Sequence, residues 1–499
     1  MDTLQHLFDG FGVALAPVNL LVATIGAFIG TVVGMLPGLG PINGVALLMP
    51  LAFALKLPPE TAMILLTAVY IGCEFGGRIS SILLNVPGDA GAIMTAIDGY
   101  PMAVKGEAGV ALSISAWSSF IGSTVATLGI VLFAPLLARW ALAFGPAEYF
   151  ALMCFAFACI TGLMGQQPMK AVLAAVIGLS LSTVGLDANS GIYRFTGDNV
   201  HLSDGIQFIV VVIGLFSVSE ILLMAEHQAH ATGLIRRTGR NLFNLQEMAQ
   251  TWWTSIRSAL LGFTVGVLPG AGATIASAMA YTLEKRLNDQ QGTFGKGDIR
   301  GVTAPEAANN ASANGSFIPM LTLGVPGSGT TAVMVGALSL YNITPGPALF
   351  TQQPALVWGL IASMFIGNVL LLFINIPLVG LFTRILLVPN WLLVPGILAI
   401  SAVGVYSVHA TTFDLMLMAG LGIAGYLLRK AGVPMAPLIL GFVLGDLMEQ
   451  NLRRALSITN GDVHILFESA IAKGLWVGVA AMLLVPPLLR LRSRRTAAR

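Results

Sequence analysis

The chain is poor in charged residues: Asp, Glu, Lys and Arg make up 10% of its 499 residues. A soluble globular protein carries roughly 25% charged residues, so this chain could not cover a water-facing surface. The net charge of +2 also excludes the strongly basic surface of a nucleic-acid-binding protein. Hydrophobic residues, by contrast, make up 56% of the chain, and the mean hydropathy is +0.84. These values predict a protein whose solvent is the lipid bilayer.

Other absences exclude classes of enzyme. The three cysteines, Cys73, Cys154 and Cys159, have no disulfide or metal-ligand spacing. The sequence contains no GxxxxGK[ST], HExxH, GxSxG or CxxC motif, which argues against direct use of ATP and against hydrolase or redox chemistry. We therefore predict no catalytic residue and no cofactor other than a coupling ion. The N-terminus also lacks the basic region and cleavage site of a secretory signal, so we expect the first hydrophobic run to be retained.

Long hydrophobic runs occupy most of the chain. Because a helix needs about 20 mainly apolar residues to cross a bilayer, we predict an all-α polytopic membrane protein with about 11 to 13 transmembrane segments. Several runs are too long or too rich in glycine for one straight helix, and they predict broken helices and re-entrant hairpins. The runs are 13–36, 62–84, 110–138, 145–165, 168–185, 205–226, 253–283, 311–340, 354–387, 391–408, 411–428, 433–450 and 467–490.

Basic residues cluster in three polar stretches, and they predict the orientation of the chain. The stretches are 227–252, 284–310 and the C-terminal tail 491–499. The positive-inside rule places basic loops in the cytoplasm, so we expect a cytoplasmic C-terminus in a bacterial inner membrane.

Two segments of the chain are nearly alike. Residues 30–40 read GTVVGMLPGLG and residues 262–272 read GFTVGVLPGAG, with seven of eleven positions identical. A second pair follows in the same order, NVPGD at 85–89 and GVPGS at 324–328. The order predicts two homologous halves, a common plan of secondary transporters. An odd number of spans in the first half would make the repeats inverted, although a parallel repeat stays open. The predicted divisions are 1–226 and 253–490 for the two halves, 227–252 for a cytoplasmic linker and 491–499 for a basic tail.

The Leu-Pro-Gly-x-Gly segments predict helix breaks at membrane depth. Proline cannot continue a helix and glycine permits positive φ, so backbone carbonyls and amides are set free. Free carbonyls suit Na⁺, and the alternative is a packing kink with close glycine contacts. The candidate cation-binding positions here are Gly38, Gly40, Gly270, Gly272 and Thr274.

The second pair of segments has the pattern of re-entrant hairpin tips. Each segment ends one apolar run and starts another, with Asp89 and Ser328 where a helix N-cap is expected. Exposed amides and hydroxyls at such tips suit a substrate carboxylate, and simple capping is the alternative. The candidate substrate-binding residues at the tips are Asn85, Pro87, Gly88, Asp89, Thr95, Gly327, Ser328, Thr330 and Thr331.

A polar stretch precedes the second tip. Asn310 and Asn314 fall at helical i, i+4 spacing and predict one polar face, so both are candidate substrate ligands and Asn310 a candidate cation ligand. Asp89 is the other candidate cation ligand, since a buried carboxylate could serve Na⁺ or H⁺. In the first half, Glu74 and Arg78 are also at i, i+4, and we interpret them as an ion pair. The alternative is Arg78 as a clamp for a substrate carboxylate.

Taken together, the paired GxxxGxLPGxG segments, the tips NVPGDAGA and GVPGSGTTA, and the run PEAANNASANGSFIPMLTLGVPGSG resemble the large membrane subunit of the tripartite tricarboxylate transporters. The resemblance extends from about residue 10 to residue 490. It implies a small membrane subunit and a periplasmic solute-binding protein as partners. It also implies secondary active uptake of an organic carboxylate, a di- or tricarboxylate such as citrate, coupled to Na⁺ or H⁺.

Several alternatives stay open at this point. An anion channel, or a carrier of aromatic carboxylates without tight cation coupling, would use the same broken helices. An intramembrane enzyme and a non-transporting assembly subunit are further rivals. By the resemblance, the functional positions are 36–40, 85–92, 268–274, 309–315 and 324–331.

Overall fold

The computed structural model describes residues 2–163, 167–187, 189–226, 242–270, 272–386, 388 and 390–497, and the side chains of most of them. The described chain is almost wholly helical. Its one described sheet is a pair of two-residue strands, in which Gly185–Leu186 (β1) lies antiparallel to Tyr193–Arg194 (β2). The prediction of an all-α polytopic membrane protein is confirmed.

The first half of the chain, residues 1–226, contains ten α-helices among the described residues. A π-helical segment, Ile213–Val218, joins the last two, and a 3₁₀ turn lies at Val200–Leu202. The α-helices are Asp2–Ala14 (α1), Pro17–Met35 (α2), Gly40–Ala54 (α3), Pro59–Leu84 (α4), Ile93–Val104 (α5), Ala108–Ala141 (α6), Pro146–Leu163 (α7), Pro168–Ser182 (α8), Phe208–Val212 (α9) and Ser219–Glu226 (α10).

The second half of the described chain begins before residue 253, the boundary predicted from the sequence. Helix α11 starts at Leu245, where Asn244 and Glu247 form a capping box. The arginines of the predicted linker lie outside the described residues, and the predicted tail continues the last helix as far as Ala497. The helices are Leu245–Gly266 (α11), Gly272–Asn288 (α12), Ile299–Gly315 (α13), Phe317–Leu323 (α14), Gly329–Leu340 (α15), Leu349–Gln352 (α16), Pro354–Asn375 (α17), Val379–Ile385 (α18), Asn390–His409 (α19), Thr412–Lys430 (α20), Met435–Ile458 (α21) and Ala470–Ala497 (α22), with a 3₁₀ turn at Val463–Phe467.

Helices of two lengths account for the hydrophobic runs. Within the described residues, seven helices are long and apolar enough to cross a membrane. Several of the predicted hydrophobic runs are broken in the middle. The bundle therefore also contains shorter apolar helices of 10–17 residues. The run 311–340, for example, contains the end of α13, then α14 and α15. The seven long helices are Pro17–Met35, Pro59–Leu84, Ala108–Ala141, Phe208–Glu226, Pro354–Asn375, Trp391–Val408 and Thr412–Lys430.

Helices α4 and α13 lie at the centre of the bundle. Every residue of α4 from Thr61 to Leu83 is buried, and so is every residue of α13 from Gly301 to Gly315. Because lipid does not reach these two helices, they can carry polar side chains that a lipid-facing helix could not.

Each central helix packs against a glycine-rich helix, and that glycine-rich helix precedes a Leu-Pro-Gly-x-Gly segment. A Cβ on Gly34 of α2 would overlap the Cys73 carbonyl of α4. In the same way, a Cβ on Gly266 of α11 would overlap the Ser312 carbonyl of α13. The helix pairs α2–α4 and α11–α13 therefore use matching glycines for close approach, and two related halves stay a prediction.

Candidate functional site

Both Leu-Pro-Gly-x-Gly segments break the chain between two helices. Residues 36–40, the first break, separate α2 from α3, and residues 268–272, the second break, separate α11 from α12. Gly38 and Gly270 have φ of +88° and +78°, and Gly40 and Gly272 have φ of +62° and +65°. The two segments therefore share their left-handed positions, which glycine adopts at little cost.

Each break lies against the tip of its own half. The first tip is residues 85–92 and the second tip is residues 324–331. The backbone amide of Gly270 donates to the carbonyl of Gly327 over 2.9 Å. In the first half, a Cβ on Gly88 would overlap the carbonyl of Gly34, near the end of α2. The structure thus brings the predicted breaks and tips together in pairs.

The first tip is partly exposed, and its carboxylate does not cap a helix. Helix α4 ends where Asn85 takes a left-handed conformation with φ of 58°, and α5 starts at Ile93 with Ala92 as its N-cap. The prediction that Asp89 is an N-cap is wrong, because the chain needs three more residues to turn into α5. Asp89 instead accepts the amide of Gly91 at 3.0 Å through Oδ2. Asn85 is exposed, while Pro87 and Asp89 are half-buried.

The second tip is buried and capped as expected. Ser328 is the N-cap of α15: the Thr331 amide donates to Ser328 Oγ at 3.2 Å, and the Ser328 amide donates to Thr331 Oγ1 at 2.8 Å. The hydroxyl of Tyr70, from α4, lies 3.3 Å from Ser328 Oγ and 3.5 Å from Ser316 Oγ. These four hydroxyl groups form a hydroxyl cluster consisting of Tyr70, Ser316, Ser328 and Thr331.

A second polar group is buried between α4, α6 and α13. The guanidinium of Arg78 donates to Ser119 at 3.1 Å and to Asn375 at 3.2 Å, and it lies 4.0 Å from the carboxylate of Glu306. Glu306 also accepts the hydroxyls of Thr95 at 2.6 Å and Ser119 at 3.0 Å. Arg78 therefore pairs across the two halves, and the predicted pair with Glu74 is wrong. Thr95, a candidate substrate ligand, uses its hydroxyl inside this network.

The carboxylate of Glu74 meets α13 rather than Arg78. Asn309 donates its amide to Glu74 Oε2 at 2.9 Å. On its other side, Asn309 Oδ1 reaches so near to Gly91 of the first tip that a Cβ there would overlap it. Asp89 Oδ1 occupies the space where a Cβ on Gly77 would stand. Asn309, Glu74 and Asp89 thus converge at one place, where two helices meet the first tip.

The two candidate asparagines of the polar stretch face elsewhere. Asn310 donates to Ser119 Oγ at 2.8 Å, and Asn314 donates to Thr127 Oγ1 at 3.0 Å, so both amides face α6. The structure does not bring them to the tips. Successive helical residues point about 100° apart, which is why Asn309 rather than Asn310 faces Asp89.

The surroundings of the two breaks differ. Gly38 stands against the carboxylate of Glu220, which forms an ion pair with Arg429 from α20. Gly270 stands against the apolar side chain of Ile160. Thr274 lies in the first turn of α12 and is exposed. Sequence reasoning missed Glu220, because its partners come from distant parts of the chain.

A cavity of about 370 Å³ opens elsewhere, and it contains none of the predicted site residues. Within the described residues, no group of three or more His, Cys, Asp or Glu side chains is placed to hold a metal ion. The residues that line the cavity are Phe53, Ala54, Lys56, Leu57, Tyr341 and Ser407.

A polytopic helical bundle with two broken-helix tips and buried polar networks at its centre is typical of a membrane transport protein. The model of the tripartite tricarboxylate transporter TctA family matches residues 20–440. The chain therefore belongs to the tripartite tricarboxylate transporter TctA family.

Two relatives from Agrobacterium vitis are similar to this chain. One, described as an uncharacterized 52.8 kDa protein in the TAR-I ttuC' 3' region, is 42% identical over 495 residues, which is 99% of this chain and 98% of the relative. The other, an uncharacterized protein in the TAR-II ttuC' 3' region, is 46% identical over 235 residues, which is 47% of this chain and 97% of the relative. No solved structure matches.

Proposed function

We propose that this chain is the large transmembrane subunit of a binding-protein-dependent carrier that takes up an organic carboxylate, with a cation gradient as the driving force. Membership of the family supports a transporter subunit, and the proposal adds the substrate class and the coupling. The substrate is a di- or tricarboxylate such as citrate. The partners are a small membrane subunit and a periplasmic solute-binding protein, and the chain lies in the inner membrane with its C-terminus in the cytoplasm.

The observation that carries the proposal is the second tip. Helix α15 begins at this tip, and the first turn of a helix presents free amides and a partial positive charge of about half an elementary charge. The hydroxyl cluster surrounds the same helix end, with Ser328 half-buried and within reach of a ligand. Amides and hydroxyls that converge at a helix start suit a carboxylate. We therefore assign substrate contacts to Gly327, Ser328, Thr330 and Thr331.

Cation coupling draws support from the buried acidic side chains. Glu74 and Glu306 are buried, and Asp89 is half-buried. The guanidinium of Arg78 lies near one of these carboxylates, that of Glu306. Buried negative charge is costly unless a positive charge or a proton offsets it. A coupling cation would supply that charge. The carbonyls of the two breaks remain predicted as further cation contacts.

Uptake of labelled citrate into proteoliposomes tests the proposal. The vesicles hold this chain with its small partner subunit, the binding protein is added outside, and an inward Na⁺ or H⁺ gradient is present or absent. Uptake that requires both the binding protein and one of the gradients supports the proposal. Citrate flux that requires neither contradicts it and indicates an anion channel.

A further inference from the structure

We infer that a sodium ion binds between the carboxylates of Asp89 and Glu74 and the side-chain oxygen of Asn309, where the first tip meets α4 and α13. The inference rests on the proposed function, because it names the site of the coupling ion. This sodium site is distinct from the backbone carbonyls of the breaks and from Asn310, which stay predicted as cation contacts.

The orientation of Asn309 is fixed by Glu74. An ionised carboxylate only accepts hydrogen bonds, so the amide nitrogen of Asn309 must face Glu74, and it does so at 2.9 Å. The oxygen of the same amide then points to the opposite side, toward Gly91 and Asp89. Asn309 is fully buried, and its Oδ1 has no hydrogen-bond partner. The buried oxygens of Asn310 and Asn314 also lack a donor, so what distinguishes Asn309 Oδ1 is its position beside a carboxylate, that of Asp89.

Asp89 presents a second oxygen of this kind. Its Oδ2 accepts the amide of Gly91, while its buried Oδ1 has no hydrogen-bond partner. A Cβ placed on Gly91 would overlap Asn309 Oδ1 and lie 2.9 Å from Asp89 Oδ2, so both side chains flank the same glycine. Carboxylate and amide oxygens are hard ligands of the kind that Na⁺ and other hard cations take.

Charge balance points to a cation rather than to another donor. The guanidinium of Arg78 lies with Glu306 and offsets its charge, and Glu306 also accepts hydrogen bonds from two hydroxyls. Glu74 and Asp89 are left facing an amide and a backbone N–H, which carry no net charge. Two carboxylates beside each other in a protein interior favour uptake of a positive charge between them.

The site is not enclosed on the side of the first tip. Asp89 is half-buried, and its neighbours Asn85 and Ala90 are exposed on the first tip. Asn309, by contrast, is fully closed in by α13 and its neighbours. A cation that enters at the first tip would therefore meet Asp89 first and then contact Asn309 at the inner end of the site.

The sodium site lies one turn of α4 away from the hydroxyl cluster at the second tip. Tyr70, of the hydroxyl cluster, and Glu74 lie four residues apart on α4, which is one helical turn or about 6 Å. A cation beside Glu74 would reduce the negative charge that a substrate carboxylate meets at Tyr70 and Ser328. Binding of the cation would thus favour binding of the substrate, and the reverse follows by linkage.

Sodium binding to the purified chain with its small partner subunit tests the inference without transport. The measurement is the thermal unfolding midpoint as NaCl replaces KCl at constant ionic strength and constant pH. We expect Na⁺ to raise the midpoint of the wild type, and Asn309→Ala to raise the half-saturating Na⁺ concentration about 10- to 100-fold, as for groups that support a bound metal. Asp89→Asn gives a second variant on the half-buried tip, with the same expectation.

Asn314→Ala is the matched control. Asn314 lies on the same helix and is equally buried, but its amide donates to Thr127 on α6. This variant should lose stability yet keep the wild-type half-saturating Na⁺ concentration. Unchanged Na⁺ affinity in Asn309→Ala and Asp89→Asn would overturn the inference, as would a wild type that responds to pH but not to Na⁺. If citrate uptake is driven by Na⁺ but these variants keep the wild-type Na⁺ affinity, the sodium site is rejected and the proposed function stands. If Na⁺ binding depends on these residues but no carboxylate is taken up, the proposed function is rejected.

Discussion

The side-chain amide of Asn309 donates a hydrogen bond of 2.9 Å to the carboxylate of Glu74. The bond joins α13 to α4, the two helices that are buried along most of their length. It also turns the oxygen of Asn309 toward the first tip. The position of a tip residue, Asp89, is therefore linked to the packing of the two central helices.

Gly91→Ala should disturb the packing of Asn309 against the first tip without straining the backbone. Gly91 is not among the glycines with positive φ, so alanine can adopt its conformation, but the added Cβ would overlap Asn309 Oδ1. We expect cation-dependent uptake to fall at least about tenfold, because a misplacement of roughly 1 Å at a functional site costs on the order of a hundredfold. Gly367→Ala on α17 is the control, since a Cβ there meets no atom within 4 Å. Equal uptake by both variants would argue against tight packing around Asp89.

The pair of Arg78 and Glu306 should show strong coupling in unfolding experiments. Both side chains are buried, and removing either one leaves the other charge without its partner. Such single changes typically cost about 3–5 kcal/mol, while removing both partners costs much less than the sum. The measurement is a double-mutant cycle on thermal unfolding with Arg78→Met, Glu306→Gln and the double variant. Additive effects of the two single changes would contradict the pairing.

Asp98 should hold the loop between α12 and α13 in place. This buried carboxylate on α5 accepts the amides of Gly295, Gly297 and Asp298 through Oδ1, each at 2.8 Å, and the hydroxyl of Tyr281 through Oδ2 at 2.9 Å. Hydrogen bonds to a charged group contribute about 1.5–3 kcal/mol each, so Asp98→Asn should release the loop. Limited proteolysis should then cut between α12 and α13 faster than in the wild type.

The control for this loop experiment is Asp446→Asn. The side chain of Asp446 accepts from exposed Gln450 on the same helix, so its loss should not change cleavage. A loop that is cleaved at the wild-type rate in Asp98→Asn would show that the three amide contacts do not hold it.

Ser328→Gly should separate capping from substrate binding. Glycine is an adequate N-cap, so the variant should lose only a few tenths of a kcal/mol of helix stability. It lacks the hydroxyl that lies 3.3 Å from Tyr70, however, so the KM for the carboxylate should rise several-fold. Tyr70→Phe should also raise the KM, because it removes the other hydroxyl of this contact. Its ring keeps its stacking on Phe317. A KM that stays at the wild-type value in both variants would remove the hydroxyl cluster from the substrate site.

Local features of the fold could be predicted from the sequence, whereas long-range contacts could not. The break at Pro269 and the cap at Ser328 depend on residues within one turn, and both were predicted. The partners of Arg78 and Glu74 lie on other helices, so a sequence pattern on α4 alone favoured the wrong pair.

The same reason explains why the sequence pattern placed Asp89 at an N-cap and did not single out Asn309. Asp89 stands before a helix, as an N-cap would, but its distance from the helix start is set by how the first tip packs on Gly34 and Gly77. Asn309 and Asn310 differ by one position, and only the placement of α13 against α6 decides which of them faces the tip.

The ratio of two initial rates of citrate uptake tests the central claim most directly. One rate is measured with an inward Na⁺ gradient, and the other with equal Na⁺ on both sides of the proteoliposome membrane, with the binding protein present in both. We expect a faster initial rate and net accumulation only with the gradient, and the loss of both differences in Asp89→Asn. Equal rates in the two conditions, or accumulation that is unaffected in that variant, would contradict it.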